Sequence, residues 1–213
     1  MTEALCGGTG WQQARKSGYR WFMTIRPRLV LFARYPTPGR AKTRLIPALG
    51  ADGAALLHRR LTERTLATLT STGFPVELRS TGAPTVAFRR WLGDVPVVPQ
   101  GRGHLGLRMR RAAELPAILV GADIPGLTAG HLRQAAALLA DHQVELGPAL
   151  DGGYYLIGVS APAPWLFAPM AWGTDTVFAT TVQRCTARGV VPGILPPLAD
   201  LDRPEDLGEW SGL

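Results

Sequence analysis

Apolar residues along this chain fall into short continuous runs that alternate with stretches of helical period. The first run, Leu29–Phe32, is short enough for a buried strand and is bounded by turn residues. A helix follows from Gly50 or Asp52 to about Thr70, with Ala54, Leu57, Leu61 and Leu69 as its apolar stripe. Pro75–Leu78 and Val95–Val98 read as short strands, with one or two helical turns over Val86–Leu92 between them. Ala117–Gly121 is the strongest strand signal. Thr128 then stands ready to cap a helix whose Leu132, Ala135, Ala136 and Leu139 fall at i, i+3, i+4 and i+7. Val144–Leu146 and Tyr154–Val159 are strands on either side of the sharp turn Asp151-Gly152-Gly153. A proline-rich linker leads to a helix capped by Thr174 or Asp175 and running through Arg188, with Phe178, Val182 and Cys185 facing inward. Val190–Leu195 is the last expected strand, and a final helix opens at Pro204.

Strands alternating with helices predict an α/β open sheet covered on both faces, and the reversal at Asp151–Gly153 predicts a mixed sheet. With no repeats and no internal linker, residues 25–213 read as a single domain. Residues 1–24 carry several glycines and no hydrophobic periodicity, so they are expected to be a disordered extension, with Met23 as a possible true start. They also lack the apolar core of a signal peptide.

Charge and composition narrow the function classes. The net charge of +7 invites a polyanion, but the positive charge is nearly all scattered arginine without an aromatic-basic cluster, so a nucleic-acid partner is not expected. No apolar run approaches the ~20 residues of a membrane helix. Cys6 and Cys185 form neither a disulfide framework nor a metal motif, so a reducing, cytoplasmic compartment is expected.

Against that background the loop after the first strand stands out. It holds Arg34, Arg40, Lys42 and Arg44 around Pro36, Pro38 and Gly39, and Lys42 is the only lysine beyond the N-terminal extension. A strand, a glycine-bearing basic loop and a helix suit an anion, usually a phosphate. A solvated basic turn is the plain alternative. Asp123 closes the Ala117–Gly121 strand, and in open α/β sheets ligands sit beyond the strands' carboxyl ends. If the two strands are neighbours, a carboxylate faces the basic loop. Mg²⁺ tolerates one or two carboxylates when phosphate oxygens and water complete its shell. The plain reading of Asp123 is a turn residue before Pro125.

Asp151 precedes two glycines, which permit close approach to a ligand or simply a tight turn. Asp200 and Asp202 are weaker candidates, since Asp202-Arg203-Pro204-Glu205 is also a good helix start. GRGHLG at 101–106 matches G-x-G-x-x-G and Asp123 lies about twenty residues on, but the intervening Pro99-Gln100 and a short following helix disfavour a nicotinamide site. His58, His131 and His142 read as helix-surface positions. No nucleophile elbow or H-E-x-x-H occurs, and Ala41 stands where a P-loop needs glycine.

Taken in order, FARYPTPGRAKTRL (32–45), VGADIPGLT (120–128), GPALDGGYYLIG (147–158), WGTD (172–175) and PPLADLDRPEDL (196–207) resemble one family. It is the bacterial GT-A-type family of arsenosugar-biosynthesis-type glycosyltransferases, or nucleotide-diphospho-sugar transferases, and the resemblance covers about residues 28–210. It implies a GT-A fold, a three-layer sandwich with a mostly parallel mixed sheet, and a metal-dependent glycosyltransferase using a nucleotide diphospho-sugar donor. By position, Arg34, Gly39, Lys42 and Arg44 would contact base and phosphates. Asp123 would bind Mg²⁺ or Mn²⁺, with Asp202 as a second metal carboxylate. Asp151, Gly152, Gly153, Tyr154 and Asp175 would line the sugar or acceptor side, Asp151 serving as a catalytic carboxylate beside Asp123. The chain departs from the family pattern at Ala122 (usually Thr or Ser), at His104 (usually acidic) and in a shorter helix after Gly106. A nucleotidyltransferase, similar to 2-phospho-L-lactate guanylyltransferases in its KTRL-P run, is the main alternative; a nucleotide-binding protein without catalysis is another. The expected partners are a nucleotide sugar or nucleoside triphosphate and a small acceptor, with the chain acting as a monomer or homodimer.

Overall fold

A computed structural model describes residues 26–210, so the expectations for residues 1–24 lie outside the described residues. The strands are β1 (Arg28–Arg34), β2 (Val76–Thr81), β3 (Val97–Pro99), β4 (Ala117–Gly121), β5 (Val144–Pro148), β6 (Tyr154–Val159) and β7 (Gly193–Ile194). The helices are α1 (Ile46–Thr70), α2 (Thr85–Leu92), α3 (Leu105–Ala112), α4 (Ala129–Leu138) and α5 (Val177–Thr186). Short 3-10 segments occupy Thr43–Leu45, Pro164–Phe167 and Pro204–Trp210.

The strands form one sheet in the order β3-β2-β1-β4-β6-β5-β7. Only β6 runs against the others, pairing antiparallel with both β4 and β5, as the reversal at Asp151–Gly153 requires. β1 lies between β2 and β4, with Leu29 opposite both Val76 and Ile118. Alternation along the buried strands splits the core into two layers. Leu29, Leu31, Ile118 and Val120 face α1, α2 and α4 through Leu69, Phe88 and Leu132. Val30, Ala117, Leu119 and Ile157 face α3 and α5 through Met109 and Cys185. This is the three-layer, mostly parallel α/β sandwich of nucleotide-diphospho-sugar transferase-like folds.

Several boundaries differ from the sequence reading, each for a local reason. Helical hydrogen bonding begins at Ile46, but Gly50 breaks it at φ 71, so the regular helix starts where the periodicity placed it. Thr128 caps α4 as expected, with His131 completing a reciprocal capping box. The N-cap of α5 is Thr176, without a side-chain bond, instead of Thr174 or Asp175; the Thr174 hydroxyl lies 2.8 Å from that of Thr176. α5 stops at Thr186 because Gly189 adopts φ 66 and the Val190 N–H turns back onto the Cys185 carbonyl. β7 shrinks to Gly193–Ile194, since Pro192 has no N–H for the ladder.

Candidate functional site

The carboxyl ends of β1, β2, β3 and β4 converge on one cleft, and Gln100 ties the first three together. Its buried amide donates to the Arg79 carbonyl at 3.0 Å and the Ala33 carbonyl at 3.4 Å, and accepts from Arg108 at 3.5 Å. The basic loop leaves β1 here. Gly39 makes its turn at φ 74, and Lys42 is the one non-glycine residue with positive φ among the described residues.

Lys42 is the electrostatic centre of the site. Its side chain is only 4% exposed, and its ammonium lies 2.6 Å from Asp123 Oδ1 and 3.4 Å from Asp202 Oδ1. Arg44 meets the other Asp202 oxygen at 2.5 Å. Asp202 reaches this position because the Leu201 N–H donates to the Asp123 carbonyl at 2.9 Å. Desolvation opposes the charged form of Asp123, but the Lys42 ammonium outweighs it, with His58 adding, and the carboxyl is held below its ordinary value.

His58 was expected on a helix surface; the structure buries it beneath this pair. Its Nε2 lies 3.0 Å from the Arg34 carbonyl, and its Nδ1 is buried with no hydrogen-bond partner among the described residues. Desolvation, only partly offset by Asp123, lowers its pKa and keeps the imidazole neutral at pH 7. Helical period placed it on α1, but only the docking of α1 on β1 shows which side it takes. Gln100 and Arg108 carry no site signal in the sequence, where Gln100 reads as a plain loop residue and Arg108 as one arginine of many.

Three adjoining hollows make up the cleft. The first, about 310 Å³, is lined by Arg34, Arg40, Lys42, Arg108 and His58, with the carboxylates of Asp123 and Asp202 at its edge. Asp123 also borders the second, where Asp151, Gly153, Tyr154 and Trp172 come together. The third, about 560 Å³, carries six carboxylates (Asp151, Asp175, Asp200, Asp202, Glu205 and Asp206) against Arg44 and Arg203. Asp200 has its pKa raised, first by desolvation and then by Asp151. The structure thus brings Arg34, Lys42, Arg44, Asp123, Asp202, Asp151, Gly153, Tyr154 and Asp175 to one connected cleft. Gly39 and Gly152 do not line it. Gly152, at φ 86, lets the turn pass against Asp175, whose carbonyl oxygen a Cβ would meet at 2.2 Å.

A divalent ion is compatible with the donor set. Among the described residues no three His, Cys, Asp or Glu side chains converge as a complete metal set. Asp123 Oδ1 is nevertheless buried, and the donor it meets among the described residues is the single ammonium of Lys42, which it shares with Asp202. Two hard carboxylates around one cation suit Mg²⁺ or Mn²⁺ when phosphate and water supply the remaining ligands.

The fold and this cleft define a nucleotidyl- or glycosyltransferase-like α/β protein. The chain belongs to the family of uncharacterized proteins conserved in bacteria (DUF2064), whose model matches residues 64–174. No curated protein matches it. Among solved structures it is similar to a Desulfovibrio desulfuricans G20 protein provisionally assigned as a nucleotide-diphospho-sugar transferase. The two are 29% identical, with TM-score 0.82, over 87% of this chain and 86% of that one. More distant likenesses concern the fold alone. A manganese complex of Mycobacterium tuberculosis H37Rv Rv0371c shares 17% identity and a TM-score of 0.53, over 89% of this chain and 100% of that one. The 4-diphosphocytidyl-2C-methyl-D-erythritol synthase of Anaerococcus prevotii DSM 20548 shares 10% and 0.54, over 87% and 97%.

Proposed function

We propose that this protein transfers a glycosyl group from a nucleotide diphospho-sugar to a hydroxyl of a small acceptor. The observation that carries the choice is the sign of charge on the two sides of Asp123. The first hollow is basic, through Arg34, Arg40, Lys42 and Arg108, and suits a nucleotide diphosphate. The third sets six carboxylates against two arginines, each already paired within it, Arg44 with Asp202 and Arg203 with Glu205. A nucleotidyltransferase of the guanylyltransferase kind must bring a phosphorylated acceptor into that second half, and this field repels it. A neutral sugar and its hydroxyl acceptor meet no such barrier, and Trp172 and Tyr154 offer apolar faces to a pyranose.

Arg34, Lys42 and Arg108 would hold the diphosphate and stabilise the charge left on it when the glycosidic bond breaks. Asp123 and Asp202 would hold Mg²⁺ or Mn²⁺, which when bound supplies further charge neutralisation at the leaving diphosphate. Asp151 and Asp200 face the hollow beyond the sugar and would accept the proton of the attacking hydroxyl. Asp151 is oriented for this by the Gly153 N–H, which donates to its Oδ1 at 2.8 Å.

The test is a thermal-shift screen with Mn²⁺ against nucleotide sugars, nucleoside triphosphates and NAD(H), followed by product analysis. Stabilisation by nucleotide sugars with release of nucleoside diphosphate is expected. Stabilisation by triphosphates alone, with the nucleoside monophosphate transferred to a phosphorylated acceptor and pyrophosphate released, would overturn the glycosyl reading.

A further inference from the structure

Lys42 combines three properties that a simple phosphate-binding lysine does not need. Its side chain is 96% buried before any ligand arrives, its ammonium lies between two carboxylates, and its backbone is held at φ 47, ψ 47. A non-glycine residue stays in the left-handed region only where its surroundings over-determine it. Here the restraints are the ion pairs to Asp123 and Asp202, together with the Leu45 N–H donating to the Lys42 carbonyl at 2.9 Å.

We propose that Lys42 is a resident substitute for the divalent ion, closing Asp123 and Asp202 to bare metal and admitting it only together with a diphosphate. The proposal rests on the nucleotide-transferase reading above. Among the four ion-paired groups the charge already balances without ligand, Asp123 and Asp202 against Lys42 and Arg44, and Arg34, Arg40 and Arg108 add further positive charge to the same hollow. A divalent ion entering alone would leave two excess positive charges in a partly desolvated pocket, or would have to displace an ammonium with nowhere buried to go. A diphosphate reverses both terms. It brings the negative charge that lets ion and ammonium coexist, and its oxygens offer Lys42 a new partner on the basic side of the cleft. Metal and nucleotide binding are then coupled, each raising the affinity for the other by the same factor.

The experiment measures binding of Mn²⁺ alone to the full chain, by the electron paramagnetic resonance of the free ion. The proteins are the wild type, Lys42→Met and Lys42→Gln; glutamine keeps a hydrogen-bond donor in place should methionine disturb the loop. Neutralising the lysine normally weakens a phosphate site, yet here both variants should bind Mn²⁺ at least about tenfold more tightly than wild type. Adding Asp123→Asn to either variant should abolish the gain, placing the ion at these carboxylates. Wild type should recover the affinity when UDP or GDP is added, whereas the Lys42 variants should gain little more. Mn²⁺ binding in both Lys42 variants that equals or falls below wild type overturns the proposal. If wild type still binds Mn²⁺ with a nucleoside diphosphate in that case, the nucleotide-transferase reading survives. If it binds neither, both fall together.

Discussion

A carboxylate at the end of a central strand is costly unless a cation meets it, and Asp123 meets Lys42 at 2.6 Å. This pairing makes Asp123 the residue whose loss should be felt first. Asp123→Ala should weaken Mn²⁺-dependent nucleotide binding by roughly 10–100-fold, read by calorimetry with and without the metal. Unchanged affinity would reduce Asp123 to a structural turn residue. Glu145 makes the opposite case. It lies fully buried on β5, neither carboxyl oxygen has a hydrogen-bond partner among the described residues, and desolvation raises its pKa to about 9. The folded chain therefore keeps a proton that the unfolded chain releases near its ordinary value of 4.5. Stability is full below 4.5, falls as pH rises through the window up to about 9, and has lost this contribution above it. Glu145→Gln removes the titration, so its melting temperature should change less between pH 5 and 9 than that of wild type. Parallel melting curves across that range would show that Glu145 does not carry the effect.

Glycines decide how the pieces around the cleft fit. The G-x-G-x-x-G segment is not a dinucleotide cradle here. His104 Nδ1 accepts from the Leu107 N–H at 3.3 Å and so occupies the start of α3, where a pyrophosphate would otherwise bind. Gly106 is instead a packing residue, since a Cβ there would lie 2.4 Å from both the Phe167 carbonyl oxygen and the Trp172 ring. The turn between β5 and β6 has the same tightness. The Gly152 carbonyl accepts from the Phe178 N–H at 3.0 Å, joining this turn to α5. Gly152→Ala combines a strained φ with a backbone collision at Asp175. We expect a loss on the order of 2 kcal/mol of stability, measured by urea unfolding, and a larger loss of transfer than of nucleotide affinity. An unaltered unfolding midpoint would mean that the turn yields freely.

Across the sheet the cleft divides at Asp123 into a basic half and an acidic half, and on the proposed function the first binds the nucleotide and the second serves transfer. Asp151→Asn lies on the acidic side, so it should cut the turnover number roughly 10²-fold or more while leaving nucleotide affinity within about twofold. Equal loss of both would place Asp151 on the nucleotide side. Much of this arrangement can be read along the chain. The buried strands β1 and β4, the reversal at Asp151–Gly153 and the α1 and α4 stripes follow from period and turn chemistry, which are local. The basic loop and Asp123 were legible as candidates because residues of those types stand at strand ends. Which strands become neighbours is not local. Pairing of β1 with β4 sets Lys42 against Asp123, and the Leu201–Asp123 backbone bond brings Asp202 across from a segment far away in sequence. Burial of His58 and Glu145, the clamp at Gln100 and the acidic crowding around Asp200 likewise depend on what packs against them. Periodicity shows that a side chain has an inner face to occupy, whereas desolvation and ion pairing depend on distances between residues that only the packed sheet brings together.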